Sequence, residues 1–201
     1  MINSIETEYR GYRFRSRLEA RWAIFFDVCG VDWEYEQQGY KFDDEEGAGK
    51  HYYLPDFILH NVTGRVNGDL YIEVKGQMND QDARKIKSFV KAGISKVGLS
   101  TKTPLLIVGD VPRGNNIYEM IDCMFKAAHK DERLWPNCFN FETIDGDDLA
   151  AYPGVNHEGE FEIFDDTMGC VDKMNKTATE RAYRYARQSR FEHGENPINR
   201  R

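Results

Sequence analysis

Between Ser16 and Gly30 apolar residues recur at steps of three and four: Leu18, Trp22, Phe25, Phe26 and Cys29 fall on one side of a predicted helix that Gly30 ends. Val31 to Glu36 then alternates as a strand, Gln38-Gly39 breaks it, and Asp43 to Lys50 reads as a polar loop. His51 to Leu59 and Asp69 to Lys75 predict two further strands, and the Asn and Gly residues between Asn61 and Gly68 favour a hairpin joining them. Asn79 or Asp80 caps a helix over Gln81–Ala92, where Ala83, Ile86, Phe89 and Val90 keep the helical period. Leu105 to Val108, a continuous apolar run between Pro104 and Gly109, predicts a strand buried on both faces. Asn116–Lys130 reads as a third helix and Cys138–Ile144 as a strand. Past Asp145 the pattern weakens, because Gly146, Pro153, Gly154, Gly159 and Gly169 interrupt each candidate element; Glu160 to Phe164 predicts only a short edge strand. A helical pattern returns over Lys176–Phe191. Helix, three strands, helix, strand, helix, strand is the order of an α/β fold, a mixed sheet flanked by helices. The expected division is a core over residues 1–145, then an acidic loop region with a basic C-terminal helix over 146–201.

At 201 residues the chain can bury a core without disulfides or structural metals. Cys29, Cys123, Cys138 and Cys170 form no C-x-x-C pair, which argues for reduced thiols over a zinc site. No apolar run approaches membrane-spanning length, and the first residues lack the charge and apolar core of a secretory signal, so a cytoplasmic protein with no membrane partner is expected. A net charge of −7 would weaken the case for a polyanionic partner. Its distribution matters more: Arg10, Arg13, Arg15, Arg17 and Arg21 crowd the start, Arg84, Lys85, Lys87, Lys91 and Lys96 follow the Asp69–Lys75 strand, and acid concentrates between Asp145 and Asp166.

Two strands carry the chemistry. Leu70, Ile72 and Val74 alternate with Tyr71, Glu73 and Lys75, which sends the apolar set to one face and Glu73 with Lys75 to the other. In the preceding run Leu54, Asp56 and Ile58 are expected to share a face, setting a carboxylate between apolar neighbours. A carboxylate so placed loses several kcal/mol of hydration unless a cation or donors compensate it. If the first helix packs on the sheet, Glu19 could join Asp56 and Glu73 around one hard cation such as Mg²⁺ or Mn²⁺. Such a cation suits phosphodiester hydrolysis, with Lys75 as an electrostatic stabiliser rather than a base. Each piece also has a plain structural reading. Glu-x-Lys is common on solvated faces, Pro55-Asp56 fits a strand entry, and Ser16-x-x-Glu19 fits a capping box.

Phe14-Arg-Ser-Arg-Leu-Glu19-Ala-Arg-Trp, Trp33-Glu-Tyr-Glu36, Tyr53-Leu-Pro55-Asp56-Phe and Ile72-Glu73-Val-Lys75-Gly together resemble the PD-(D/E)XK nuclease superfamily in its phage and prophage form, over roughly residues 9–110. Within it the chain is most similar to the group whose helix supplies an acid before the motif, as in phage junction resolvases and some transposon end-cleaving nucleases. The resemblance implies a restriction-endonuclease-like αβββαβ core and Mg²⁺-dependent hydrolysis of DNA, with Mn²⁺ able to substitute. Glu19, Asp56 and Glu73 correspond to the metal-binding acids and Lys75 to the catalytic lysine. It also implies a bacterial host cytoplasm and admits a homodimer or a phage protein partner. A branched-DNA junction resolvase of the same fold and a non-catalytic nucleic-acid-binding module are the alternatives. The Gln-x-x-x-Tyr continuation of helicase-coupled exonucleases is missing. Ala182–Glu195 also resembles the C-terminus of such phage proteins.

Arg13, Arg15 and Arg17 could hold phosphates beside the acids, as could Arg84 and Lys85, or they could be solvated charges. Arg181, Arg184, Arg187 and Arg190 interleave with Tyr183 and Tyr185 as a nucleic-acid strip would. Steps of three wind around a helix of 3.6 residues per turn, so a surface helix docked on Ala178, Ala182 and Tyr185 competes with that reading. His51 and His60 flank the Asp56 run and read more simply as solvated strand-end residues.

Overall fold

Alternation along β7 (Gly68–Val74) organises the molecule, because each face of this strand buries a different set of side chains. Leu70, Ile72 and Val74 enter a large core with α1 (Arg17–Cys29), while Tyr71 enters a smaller one with α2 (Asp80–Lys91). The computed structural model describes residues 5–43, 49–64, 66–93, 103–128, 140–142, 148–165 and 171–191. The chain is an α/β protein with four helices among these residues. Its mixed sheet has the strand order β11-β10-β9-β8-β7-β6-β3, formed by β3 (Asp32–Tyr35), β6 (Phe57–Gly64), β7, β8 (Leu105–Val108), β9 (Asn140–Glu142), β10 (Asp148–Val155) and β11 (Phe161–Asp165). The β7–β8 pair is parallel, with a register of Glu73 opposite Ile107, and β6–β7 is antiparallel.

The sheet curls back on itself: β11 pairs in parallel with the end of β6, Glu162 opposite Thr63 and Ile163 opposite Gly64. A bulge between Leu59 and Val62, with Asn61 at φ 53°, separates the half of β6 that pairs with β3 from the half that meets β11. Gly64 is needed there, since it has φ 88° and a Cβ would lie 2.5 Å from Glu162 Cγ.

Inside the curl, α1 and α4 (Lys176–Gln188) pack together. Phe25 stacks on Tyr183 at 4.4 Å, Tyr183 Oη donates to Pro153 O at 2.6 Å, and the Trp22 indole donates to Gly109 O at 2.8 Å. Gly154 lets α4 approach β10, because a Cβ would lie 3.0 Å from Thr179 Oγ1, and that oxygen accepts the Val155 N–H. α3 (Ile117–Ala128) adds Ile117, Met120 and Met124 to the same core. On the other face α2 covers Ile58, Tyr71, Leu105 and Ile107 with Ile86, Phe89 and Val90. Its N-cap is Asn79, whose side chain accepts from Gln81 N and Asp82 N while Asp82 returns a bond to Asn79 N, so the expected cap is a full capping box. No helix among the described residues is long and apolar enough to cross a membrane.

Several sequence expectations change. The stretch expected as one strand from His51 to Leu59 is two: β5 (Lys50–Tyr53) forms a separate ribbon with β4 (Tyr40–Asp43), and Leu54-Pro55-Asp56 links it to β6. Leu54 is therefore exposed and does not share a buried face with Asp56. Thr7–Tyr9 and Tyr12–Phe14, β1 and β2, form a hairpin that no alternation announced. β11 has neighbours on both sides and is no edge. The glycine- and proline-interrupted stretch contains β10, where Pro153 lies past the residues paired with β9 and so costs no ladder bond to that strand. With β10, β11 and α4 in the same core as α1, the part expected as an extension is built into the fold. On α4 the buried tyrosine is Tyr183, while Tyr185 is exposed. The ends of the Cys138–Ile144 strand, Cys170, Asp145, Asp147, Asp166 and the tail from residue 192 lie outside the described residues.

Candidate functional site

Asp56 sits in the link before β6, and its backbone O accepts from Glu36 N at 3.0 Å, which carries the β3–β6 pairing one step past Tyr35 and Phe57. Although 4% exposed, it is well provided with donors. Oδ2 accepts the Val74 N–H at 2.7 Å and Oδ1 the Arg15 Nη2–H at 3.0 Å. Glu73, buried on the α2 face of β7, pairs through Oε1 with Lys75 Nζ at 2.7 Å and accepts from Tyr53 Oη through Oε2 at 2.6 Å. Tyr53 is held in turn by stacking on Phe89 of α2 at 4.3 Å.

Glu19 lies in the first turn of α1. Its Oε1 accepts from Ser16 Oγ at 2.7 Å, its Oε2 from Tyr35 Oη at 2.6 Å and from the Arg15 N–H at 3.0 Å. Ser16 Oγ also caps the helix by accepting the Glu19 N–H. Among the described residues no group of three His, Cys, Asp or Glu is placed to hold a metal ion, so the expected three-acid shell is not assembled. The side chain of Glu19 is committed to the helix start and to Tyr35, much as a capping acid would be. Asp56 and Glu73 remain as the pair able to serve a cation. Their oxygens suit Mg²⁺ in kind, and Mg²⁺ keeps several waters and needs only one or two carboxylates.

Charge at this place is unbalanced. The Asp56 carboxyl is pushed up to about 8, first by burial and then by the negative charge of Glu73; the Val74 N–H and the Arg15 guanidinium pull against this, and Glu19 adds to it. Glu36 is raised in the same sense by burial, against the pull of its ion pair with Arg15. Burial alone would lower Lys75, but Glu73, helped by Asp56 and Asp82, outweighs it and holds the ammonium charged. A cleft of about 160 Å³ opens here, lined by Arg15, Tyr53, Glu73, Lys75, Asp82 and Lys85 among others.

The other expected contact residues fall in different places. Arg13 pairs with Glu6 and borders, with Arg17, a separate surface hollow. Arg84 is exposed on α2 and its Nε donates to Asp80 O of its own helix. Arg181 and Arg184 are exposed on α4, which packs on the α1 face of the sheet, away from the cleft beside α2. Arg184 pairs with Glu180 at 2.9 Å and donates to Asn115 O, so it also fastens α4. His60 pairs with Asp69, and His51 stacks on Phe42 in the ribbon. Neither lines the cleft.

Tyr53, Tyr35 and Glu36 lie in the motif stretches quoted above but were given no role there, and Asp82 was not singled out; which of them meets which acid depends on how those segments fold together. What fold and site define is an α/β chain with a buried acid pair and a charged lysine at the foot of a cleft. Compared with family models, curated proteins and solved structures, the chain matches none.

Proposed function

We propose that this chain is a metal-dependent deoxyribonuclease of the PD-(D/E)XK superfamily, with a restriction-endonuclease-like core, that hydrolyses phosphodiester bonds in DNA. One observation carries the reading: two carboxylates, Asp56 and Glu73, are buried, Asp56 being pushed up first by that burial and then by the charge of Glu73, with a charged Lys75 beside Glu73 at a solvent cleft. Burying such groups lowers stability relative to apolar side chains of the same size, so a role other than folding accounts for them best. Asp56 and Glu73 would hold Mg²⁺ or Mn²⁺, which when bound supplies a polarising charge for a phosphate oxygen and a more acidic water. Tyr53, bonded to Glu73 and stacked on Phe89, fixes the glutamate rotamer. Lys75 is 27% exposed, and its ammonium is suited to stabilise negative charge developing on a phosphate oxygen in the cleft. Lys85, on the cleft wall, offers a contact to an adjacent phosphate.

A non-catalytic nucleic-acid-binding module is favoured by a different fact: each of the three acids already has a donor or cation within the protein. Plasmid and four-way-junction cleavage in Mg²⁺, Mn²⁺ or EDTA, wild type beside Asp56→Ala, separates the two. Metal-dependent cutting absent from the variant supports the nuclease, and faster cutting of the junction than of linear duplex supports the resolvase form. Equal cutting by Asp56→Ala would sink the mechanism. No cutting, together with no effect of Mg²⁺ on thermal stability, supports the binding module.

A further inference from the structure

Arg15 was expected to touch nucleic acid, yet its guanidinium points into the acid cluster. Its Nη2 lies 3.0 Å from Asp56 Oδ1 and also pairs with Glu36. We propose that Arg15 is an exchangeable stand-in cation: it occupies Asp56 Oδ1 while no divalent ion is bound, cedes Asp56 when one binds, and then offers the released guanidinium to a phosphate of the substrate. This rests on the metal-dependent reading above and adds to it an order of events, the ion before the polyanion.

Three features support the exchange. The Arg15 backbone is held, since its N–H is shared between Glu19 Oε2 and Tyr35 Oη at 3.0 and 3.1 Å, so an exchange at Asp56 is a movement of the side chain, whose guanidinium keeps Tyr35 and Glu36 as partners. That side chain is 59% exposed against 5% for Asp56, so the guanidinium stands on the solvent side of the carboxyl and lines the cleft. The surrounding charge favours a cation: Glu73 and Glu19 both act on Asp56 as negative charges, and Glu36 stands beside Arg15 in turn. A compact divalent ion on Asp56 at about 2.1 Å interacts more strongly than a half-solvated guanidinium at hydrogen-bond distance. The displaced guanidinium, planar and with five N–H donors, can keep Glu36 and still present a fork to a phosphate.

The test is calorimetric titration of Mn²⁺ into the wild-type chain, Arg15→Gln and Arg15→Lys, with thermal melts as a folding control. Arg15→Gln should bind Mn²⁺ about fivefold more tightly, the scale of one half-exposed ion pair, and Arg15→Lys should behave as wild type. In the same variants affinity for a duplex oligonucleotide should move the opposite way, Arg15→Gln weakening it in the presence of Ca²⁺. Mn²⁺ affinity unchanged or weakened in Arg15→Gln overturns the exchange and leaves the nuclease reading standing. Mn²⁺ binding absent from both wild type and Arg15→Gln overturns both. A second measurement needs no folded Arg15→Gln: the Arg15 Nε–Hε resonance of the wild type, assigned with Arg15→Lys, should shift as Mg²⁺ saturates the chain. A resonance that stays in place overturns the exchange.

Discussion

Asp56 combines the two demands that a single residue can place on a fold, a buried charge and a buried acceptor. Its carboxyl holds a proton up to about 8 in the folded chain but only near 3.8 when unfolded. Between those values the folded state carries the extra proton, so this group favours folding most at the acid end and its contribution is lost as pH rises through the window. In EDTA, the thermal midpoint of the wild type should therefore fall from pH 5 to pH 8. Asp56→Asn, which keeps an acceptor for the Val74 N–H, should flatten that slope; an unchanged slope would show that other groups set it. Asp56→Ala also leaves the Val74 N–H without its acceptor, at about 1–3 kcal/mol, so a loss of activity in that variant must be read beside its melt. Glu19→Gln separates helix start from metal site. It weakens the bonds to Ser16, Tyr35 and Arg15 N and should cost about 1 kcal/mol in urea unfolding while leaving Mn²⁺ affinity within twofold, about the limit set by loss of one distant charge. Lys75→Ala should lower any cleavage rate about 10²- to 10³-fold without altering the fold, as loss of a donor to developing charge does.

Elements were legible where their period was long and their ends were marked. For α1, Ser16 and Gly30 bracket five apolar positions at helical spacing, and both caps are found in the structure, Gly30 at φ 72°. For α2, a capping box and a narrow apolar stripe fix both start and face. The ribbon β4–β5 was missed because four-residue strands rich in Lys, His and Tyr carry too little alternation, and only packing of Phe42 and Tyr53 on Phe89 reveals why it forms. The strand β10 was missed because Pro153 and Gly154 argue against a strand unless a helix is known to need that close approach. Gly154→Ala tests that account: a methyl 3.0 Å from Thr179 Oγ1 should cost about 1–3 kcal/mol in denaturant midpoint, whereas a free strand edge would accept it at little cost.

The whole molecule closes through its last elements. Parallel pairing of β11 with β6 completes the curl of the sheet, and α4 fills it against α1 through Tyr183, Phe25 and Trp22. A chain ending at residue 147 would expose those rings and leave the second half of β6 without a neighbour on one side, so it should lack cooperative thermal unfolding by circular dichroism. A sharp melt of that fragment would restore the division at residue 145. At smaller cost, Tyr183→Phe, which leaves Pro153 O without its donor, should lower stability of the entire chain by about 1 kcal/mol in a single transition.

Local sequence determined what depends on near neighbours: the helices with their caps, the alternation that puts Glu73 and Lys75 opposite Ile72 and Val74, and the buried run of β8. These follow from backbone period and from side-chain bonds spanning a few residues. Tertiary structure decided what depends on segments far apart in the chain. Arg15 meets Asp56 across 41 residues, Tyr35 meets Glu19, and Glu162 meets Thr63. No period encodes those meetings; they are set by which apolar faces bury one another, and the charges come along with them. That is why the acid pair, its lysine and Glu19 at the helix start could be named from the sequence, while the arginine that pairs with Asp56 and the tyrosine that holds Glu19 could not.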